Sequence, residues 1–282
     1  MNGTPQVIRA SASRRNAAPE NKAPVEKNFI YPHRSYRKLT EASRFSILFQ
    51  FIVLTAPFMA AIYLLFPYIT YLNCYNAYYL LSSVIPPEYI RILQTEYLGQ
   101  DLYLLSLPGS FPTLEFSFGA ALVSFLVLLL LPNLGFIPRA IGVYLALVAF
   151  INLASAIFFV YVPDLFPYST LTFSILYHKT NVSMLFMVPP IVAVSILPLP
   201  TGIWNKIGLI FLILLFNIFL NFLRYAAFLY ILSKFSFIFM AVLFLSFGPL
   251  LDFIYAVVMY SIFITGVSKK IKKDMQLWKW SY

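Results

Sequence analysis

The chain has 282 residues, of which 61% are hydrophobic, 18% aromatic and only 11% charged, with a mean hydropathy of +0.81. Soluble domains carry about 25% charged residues, so this composition excludes an ordinary soluble enzyme and a disordered chain. Cys74 is the only cysteine, which excludes an internal disulfide framework and a cysteine-rich metal site.

Residues 1–44 are polar, rich in Pro, Ala and Ser, and carry nine of the twenty Lys and Arg residues. They lack the apolar run and small-residue cleavage site of a secretory signal and read as a disordered basic cytoplasmic tail. Beyond them, residues 45–266 form a transmembrane domain. A crossing of the hydrocarbon core of about 30 Å takes roughly 17–25 apolar residues. Such runs occur at 46–68, at 117–131 with its flanks, and at 140–161, 183–198 and 206–232. The region 235–266 is too long for one straight crossing, and Gly248-Pro249 interrupts it, because proline removes a backbone donor and clashes with the preceding turn. The pattern therefore predicts a short re-entrant or interfacial piece over 235–247 and a last crossing over 250–266. The fold class is an all-α, polytopic bundle of about six spans.

With six spans, both termini lie on one side. Eleven Lys and Arg residues near the spans then fall on that side, and only Arg91, Lys179 and Lys234 on the other. The positive-inside rule makes the richer side cytoplasmic. Residues 267–282 are a second basic cytoplasmic tail. The net charge of +10 is thus mainly a topology signal, and no motif accompanies it that would recognise nucleic acid, so no nucleic-acid partner is expected. The lipid bilayer is the partner the composition requires.

Residues 73–116 form the largest external segment. Pro86-Pro87 can open a short helix, with Tyr89, Ile90, Leu93 and Tyr97 along one face, lying in the membrane interface. Cys74 is expected just outside the first span as a small, semi-buried side chain. His178 and Lys179 are expected as solvated interfacial residues before the fourth span, and Asn181-Val182-Ser183 reads as a glycosylation sequon.

A charge inside a span costs roughly 2.5–3.5 kcal/mol on insertion scales, so each one calls for an explanation. Asn217, Asn221 and Arg224 recur at i, i+4 and i+7 and share one helix face, forming a polar stripe that rises toward the outside. Asp252 can reach the same level if Gly248-Pro249 breaks the chain, and an Arg224–Asp252 pair would lower the cost of both charges. This stripe can serve as an interhelical seam or as a binding site. For catalysis, Ser183, His178 and Asp164 are the residue types of a hydrolase triad, but no nucleophile-elbow glycines surround the serine. No glycine-rich phosphate loop or His/Cys/Glu metal cluster is present, so neither a metal nor an organic cofactor is expected.

The stretch Asn221-Phe222-Leu223-Arg224 closes an apolar span and is followed by an aromatic, apolar stretch and a last span. In this it resembles the C-terminal half of exosortases and archaeosortases, multi-pass transpeptidases that process C-terminal sorting signals on the external side. The similarity covers roughly residues 165–266. In it Arg224 matches the family's arginine, and Ser183 stands where its cysteine would be. Residues 244–252 offer no His or Arg for its third position. The resemblance implies a degenerate, non-catalytic relative in a bacterial inner membrane. Such a protein would act as a binding or assembly component in protein sorting or surface-polymer export, with a client sorting signal as partner. If active, it would be a serine-variant transpeptidase. Two other readings stay open: a structural subunit of a larger membrane complex, and a small transporter or channel with Asn217, Asn221, Arg224 and Asp252 lining its path.

Overall fold

The computed structural model describes residues 44–273 apart from positions 134, 136 and 200. The expected tails lie outside the described residues, except that the last helix continues through Lys273. The chain is an all-α membrane bundle: six of its described helical segments are long and apolar enough to cross a bilayer. An even number of crossings brings both ends of the described chain to one face.

The first helix, α1 (Arg44–Ser82), has 39 residues and is about 58 Å long at 1.5 Å per residue. It therefore stands well clear of a core of about 30 Å. The expected span ending at 68 is too short because the outer part of α1 is held by packing as well as by lipid. Cys74, Ala77 and Leu81 are buried in the same apolar cluster as Phe173, Tyr225, Leu229 and Phe237. Pro57 and Pro67 lie inside the helix.

In the external segment Pro86-Pro87 opens only a single 3₁₀ turn (Pro87–Tyr89), and a β-hairpin follows where the sequence reading expects an interfacial helix. Strands β1 (Arg91–Tyr97) and β2 (Gln100–Ser106) pair antiparallel, from Arg91 opposite Ser106 to Tyr97 opposite Gln100. The two-residue turn between them has positive φ at both Leu98 (53°) and Gly99 (76°), the geometry that matches the twist of paired strands. Tyr63 donates to the Leu98 carbonyl at 3.4 Å and ties the turn to α1. Leu102, Leu104 and Leu105 of β2 are buried while most of β1 is exposed, so the hairpin caps the outer end of the bundle with one strand.

Helices α2 (Leu114–Leu130) and α3 (Arg139–Tyr161) form a peripheral pair, linked at mid-height by Asn152 Nδ2 donating to Ser124 Oγ at 2.8 Å. Helix α4 (Thr170–Ile196) starts far earlier than the expected span at 183. Ser169 caps it by accepting from the Thr172 amide at 3.2 Å. The outer turns are polar and satisfy their side chains internally: Ser174 Oγ donates to the Leu105 carbonyl at 2.8 Å, and Thr170 Oγ1 donates to that of Leu107. Helix α5 (Ile203–Lys234) returns alongside α4. Near its start, buried Lys206 donates to the Leu197 carbonyl at 3.0 Å, placing a cation on the carbonyl end of α4, where the helix dipole favours it.

The chain after α5 is broken, as Gly248-Pro249 predicts. A 3₁₀ turn (Phe237–Phe239) leads into the short helix α6 (Met240–Leu245), and a distorted turn over Ser246–Leu250 leads into α7 (Leu251–Lys273). Gly248 has non-helical dihedrals, φ −91° and ψ −114°. The connection passes close to Gly109, whose backbone neighbour Ser110 bonds both the Leu232 carbonyl and the Phe237 amide at 3.0 Å. A Cβ on Gly109 would come within 2.0 Å of the Phe237 ring.

Candidate functional site

A break inside a membrane helix leaves backbone carbonyls without helical donors, and these must be satisfied by protein. Here side chains from neighbouring helices do so. Tyr144 of α3 donates to the Ser246 carbonyl at 3.1 Å. Arg224 Nη1 donates to the carbonyls of Phe247 at 3.1 Å and Gly248 at 3.4 Å. The same Nη1 bonds Asp252 Oδ1, and Asp252 also accepts from the Tyr255 hydroxyl at 3.0 Å. Asp252 lies in the first turn of α7, where the positive end of the helix dipole favours a carboxylate. The break, the arginine and the aspartate thus form one unit. Arg224 is 8% and Asp252 7% exposed, so each charge would be costly alone.

One edge of the guanidinium makes no hydrogen bond of good geometry, although the Tyr177 side chain lies near the group. Arg224 Nε and Nη2 are buried and have no hydrogen-bond partner among the described residues. Arg224 also lines a small cleft, together with Tyr177, Thr180, Asn181, Phe244, Gly248, Pro249 and Asp252, of about 10 Å³. That is close to the space one water-sized group occupies. Arginine presents its donors as a rigid fork, so the free edge is preshaped for an acceptor oxygen. Asp252 already neutralises the guanidinium, and a neutral carbonyl therefore suits the edge better than a second carboxylate.

A polar ladder between α4 and α5 continues inward from the cleft. The Tyr177 hydroxyl donates to Asn221 Oδ1, and Asn221 Nδ2 donates to Asn181 Oδ1 at 3.1 Å. Tyr177 stacks on Tyr225 with centroids 5.4 Å apart. The Tyr225 hydroxyl accepts from the Leu105 amide at 3.0 Å and donates to Ser174 Oγ at 3.2 Å, which fastens the hairpin to both helices. His178 packs its ring 4.3 Å from that of Tyr225, and its Nε2 lies 4.0 Å from Cys74 Sγ.

The structure brings together some of the expected residues and separates others. Arg224 and Asp252 form the expected pair, and Asn221 joins the adjoining ladder. Asn217 is fully buried, but its amide has no partner among the described residues. The triad types do not meet. Ser183 shares a hydrogen bond with the Tyr97 hydroxyl at 3.0 Å, His178 faces Cys74, and Asp164 sits exposed in a 3₁₀ turn (Pro163–Leu165). His178 is fully buried rather than solvated, because α4 already carries it into the bundle. Lys179 is half-buried, with its ammonium 5.5 Å from the centre of the Tyr97 ring. Cys74 is buried inside α1 rather than semi-buried outside it. Asn181 of the sequon is buried in α4 and bonded to Asn221, so in this conformation no glycosyl carrier can reach it.

Sequence reasoning missed Ser174, Tyr177, Asn181, Tyr225 and Tyr255. A signal for the first three existed: they recur at i, i+3 and i+7 on α4 and mirror the Asn217, Asn221, Arg224 stripe on α5. Among the described residues no cluster of three or more metal-ligating side chains occurs. The cleft offers a guanidinium edge, the Thr180 hydroxyl and the Asn181 amide. Cys74 and His178 meet in the closed core beyond Tyr225, apart from this cleft. No known protein family, curated protein or solved structure matches the chain.

Proposed function

We propose that this integral membrane protein is a non-catalytic, exosortase-like binding component that holds a client polypeptide between the outer halves of α4 and α5 and the broken segment. The observation that carries the reading is the buried, unpartnered Nε and Nη2 edge of Arg224 beside a cleft sized for a single acceptor atom. A free donor pair in an apolar setting is costly to leave unfilled, and a backbone carbonyl of a client segment satisfies it without adding charge. A role in bacterial protein sorting or surface-polymer export follows from the resemblance of 165–266 to exosortases, with Arg224 as the shared residue. Ser183 bonded to Tyr97, with no bond to His178 or Asp164, favours binding over transpeptidation.

The test is purification in mild detergent from the native membrane. The wild-type and Ser183→Ala proteins are expected to bring down the same polypeptide partner, and Arg224→Lys, which keeps the charge but removes the fork, to lose it. Protection of the Cys74 thiol from maleimide reports that the core of each variant is intact. Retention of the partner by a folded Arg224→Lys protein would overturn the reading.

A second reading, a structural subunit of a larger complex, is favoured by one observation. A lateral groove of about 560 Å³ opens between the α2–α3 pair and the broken segment, lined by Val127, Leu145, Ile231, Phe239 and Leu243 among others. Crosslinks from Val123 to an apolar helix of another protein would support it, and crosslinks to lipid alone would count against it.

A further inference from the structure

We infer that the cleft between α1 and the hairpin turn is a binding site for an organic ammonium group, occupied by the head group of an amine-bearing phospholipid of the outer leaflet. This site is separate from the Arg224 cleft and does not depend on the reading of it. The cleft has a volume of about 640 Å³ and is lined by Leu64, Pro67, Tyr68 and Tyr71 of α1 and by Gly99, Gln100, Asp101 and Tyr103 of the hairpin.

Its chemistry is that of a cation receptor. Three tyrosine rings form the walls, and the face of an aromatic ring attracts an ammonium within about 6 Å of its centre. The neighbouring ring on the same hairpin, Tyr97, already carries the Lys179 ammonium at 5.5 Å. The Asp101 carboxylate is exposed, and the only salt bridge among the described residues is Arg224–Asp252. Glu96 stands directly opposite Asp101 across the hairpin, and like charges in that position are destabilising unless a cation lies near them. The walls are also preset. Tyr71 and Tyr103 meet edge to face at 5.2 Å, and buried Thr70 donates to the Pro67 carbonyl at 3.0 Å while accepting from the Tyr103 amide at 3.5 Å.

Depth identifies the source of the ammonium. Leu64, Pro67 and Tyr68 lie about 30–36 Å along α1 from residue 44, at 1.5 Å per residue. Helix α1 enters from the basic, cytoplasmic side, so this level is the outer edge of the hydrocarbon core, where head groups lie. The lining follows the same gradient. Exposed Leu64 and half-buried Pro67 supply the apolar end of the cleft, and half-buried Gln100 and exposed Asp101 its polar end. A soluble amine offers the same charge without the acyl match.

The experiment is native mass spectrometry of the full chain released from micelles containing equal amounts of phosphatidylethanolamine, phosphatidylcholine and phosphatidylglycerol. The expected result is a roughly tenfold preference for the two amine lipids over phosphatidylglycerol, which corresponds to about 1.4 kcal/mol. It should fall to within about twofold in Asp101→Asn, an exposed and isosteric change, and in Tyr103→Leu, with Cys74 protection confirming the fold. Tetramethylammonium chloride should displace the retained lipid where sodium chloride at equal ionic strength does not. Equal retention of phosphatidylglycerol, an unchanged preference in Asp101→Asn, or failure of tetramethylammonium to compete would each overturn the assignment.

Discussion

Replacing Arg224 by methionine leaves the Asp252 carboxylate with the Tyr255 hydroxyl as its one remaining partner, and it strips the Phe247 and Gly248 carbonyls of their donor. Replacing Asp252 by leucine leaves a buried guanidinium with only those two carbonyls. Breaking a buried pair from either side costs about 3–5 kcal/mol, because an uncompensated charge stays behind. The double variant Arg224→Met/Asp252→Leu removes both charges and leaves the two carbonyls and the Tyr255 hydroxyl unsatisfied, at about 1–3 kcal/mol each, but each of these groups is already orphaned in one of the single variants. It is therefore expected to lose less stability than the two singles together, whose uncompensated charges alone sum to about 6–10 kcal/mol. The coupling should be about 3 kcal/mol or more. A thermodynamic cycle of the four proteins, unfolded by detergent titration and followed by circular dichroism, measures it. Additivity of the single effects within about 0.5 kcal/mol, as for independent sites, would refute the pairing.

Further outcomes follow from other parts of the fold. Gly109→Ala should destabilise by about 1–3 kcal/mol, as overpacking does, because the new Cβ meets the Phe237 ring at 2.0 Å. Shortening that ring in Gly109→Ala/Phe237→Leu should recover part of the loss, and a thermal shift assay separates the two cases. Leu98 holds a left-handed backbone conformation at an exposed turn, so Leu98→Gly should raise stability by about 1 kcal/mol, and a lower melting temperature would contradict that geometry. Asn221→Leu removes the shared partner of Tyr177 and Asn181 and should cost about 1–3 kcal/mol without changing the exposure of Cys74 in the native state. Maleimide should modify Cys74 only after unfolding, since the side chain is fully buried; rapid labelling of the folded protein would contradict the packing of α1.

The spans were legible because lipid imposes a length and a composition that few other environments share. The Gly248-Pro249 break was legible because proline acts locally, and the Arg224–Asp252 pair followed once both charges were put at one depth. The hairpin was not legible. Tyr89, Ile90, Leu93 and Tyr97 fit a helical face as well as a strand, and Leu98-Gly99 lacks the Asn-Gly or Asp-Gly pair that usually marks such a turn. The outer turns of α4 were missed for a related reason. Ser174, Tyr177, His178 and Asn181 lower the local hydropathy, so the segment read as an external loop. Their polarity is instead satisfied by Leu105, Asn221 and Tyr225, which lie far away in sequence. Cys74 and His178, separated by 104 residues, meet only because α1 continues past the membrane.

The most direct measurement of the binding claim is site-specific photocrosslinking in the native membrane from Thr180, which lines the cleft beside the free edge of Arg224. Phe219, exposed on α5 and outside that cleft, is the control position. A discrete polypeptide adduct from position 180 that is absent from position 219 and disappears in Arg224→Lys is the predicted result. An adduct that persists in Arg224→Lys, or crosslinks from position 180 to lipid alone, would contradict it.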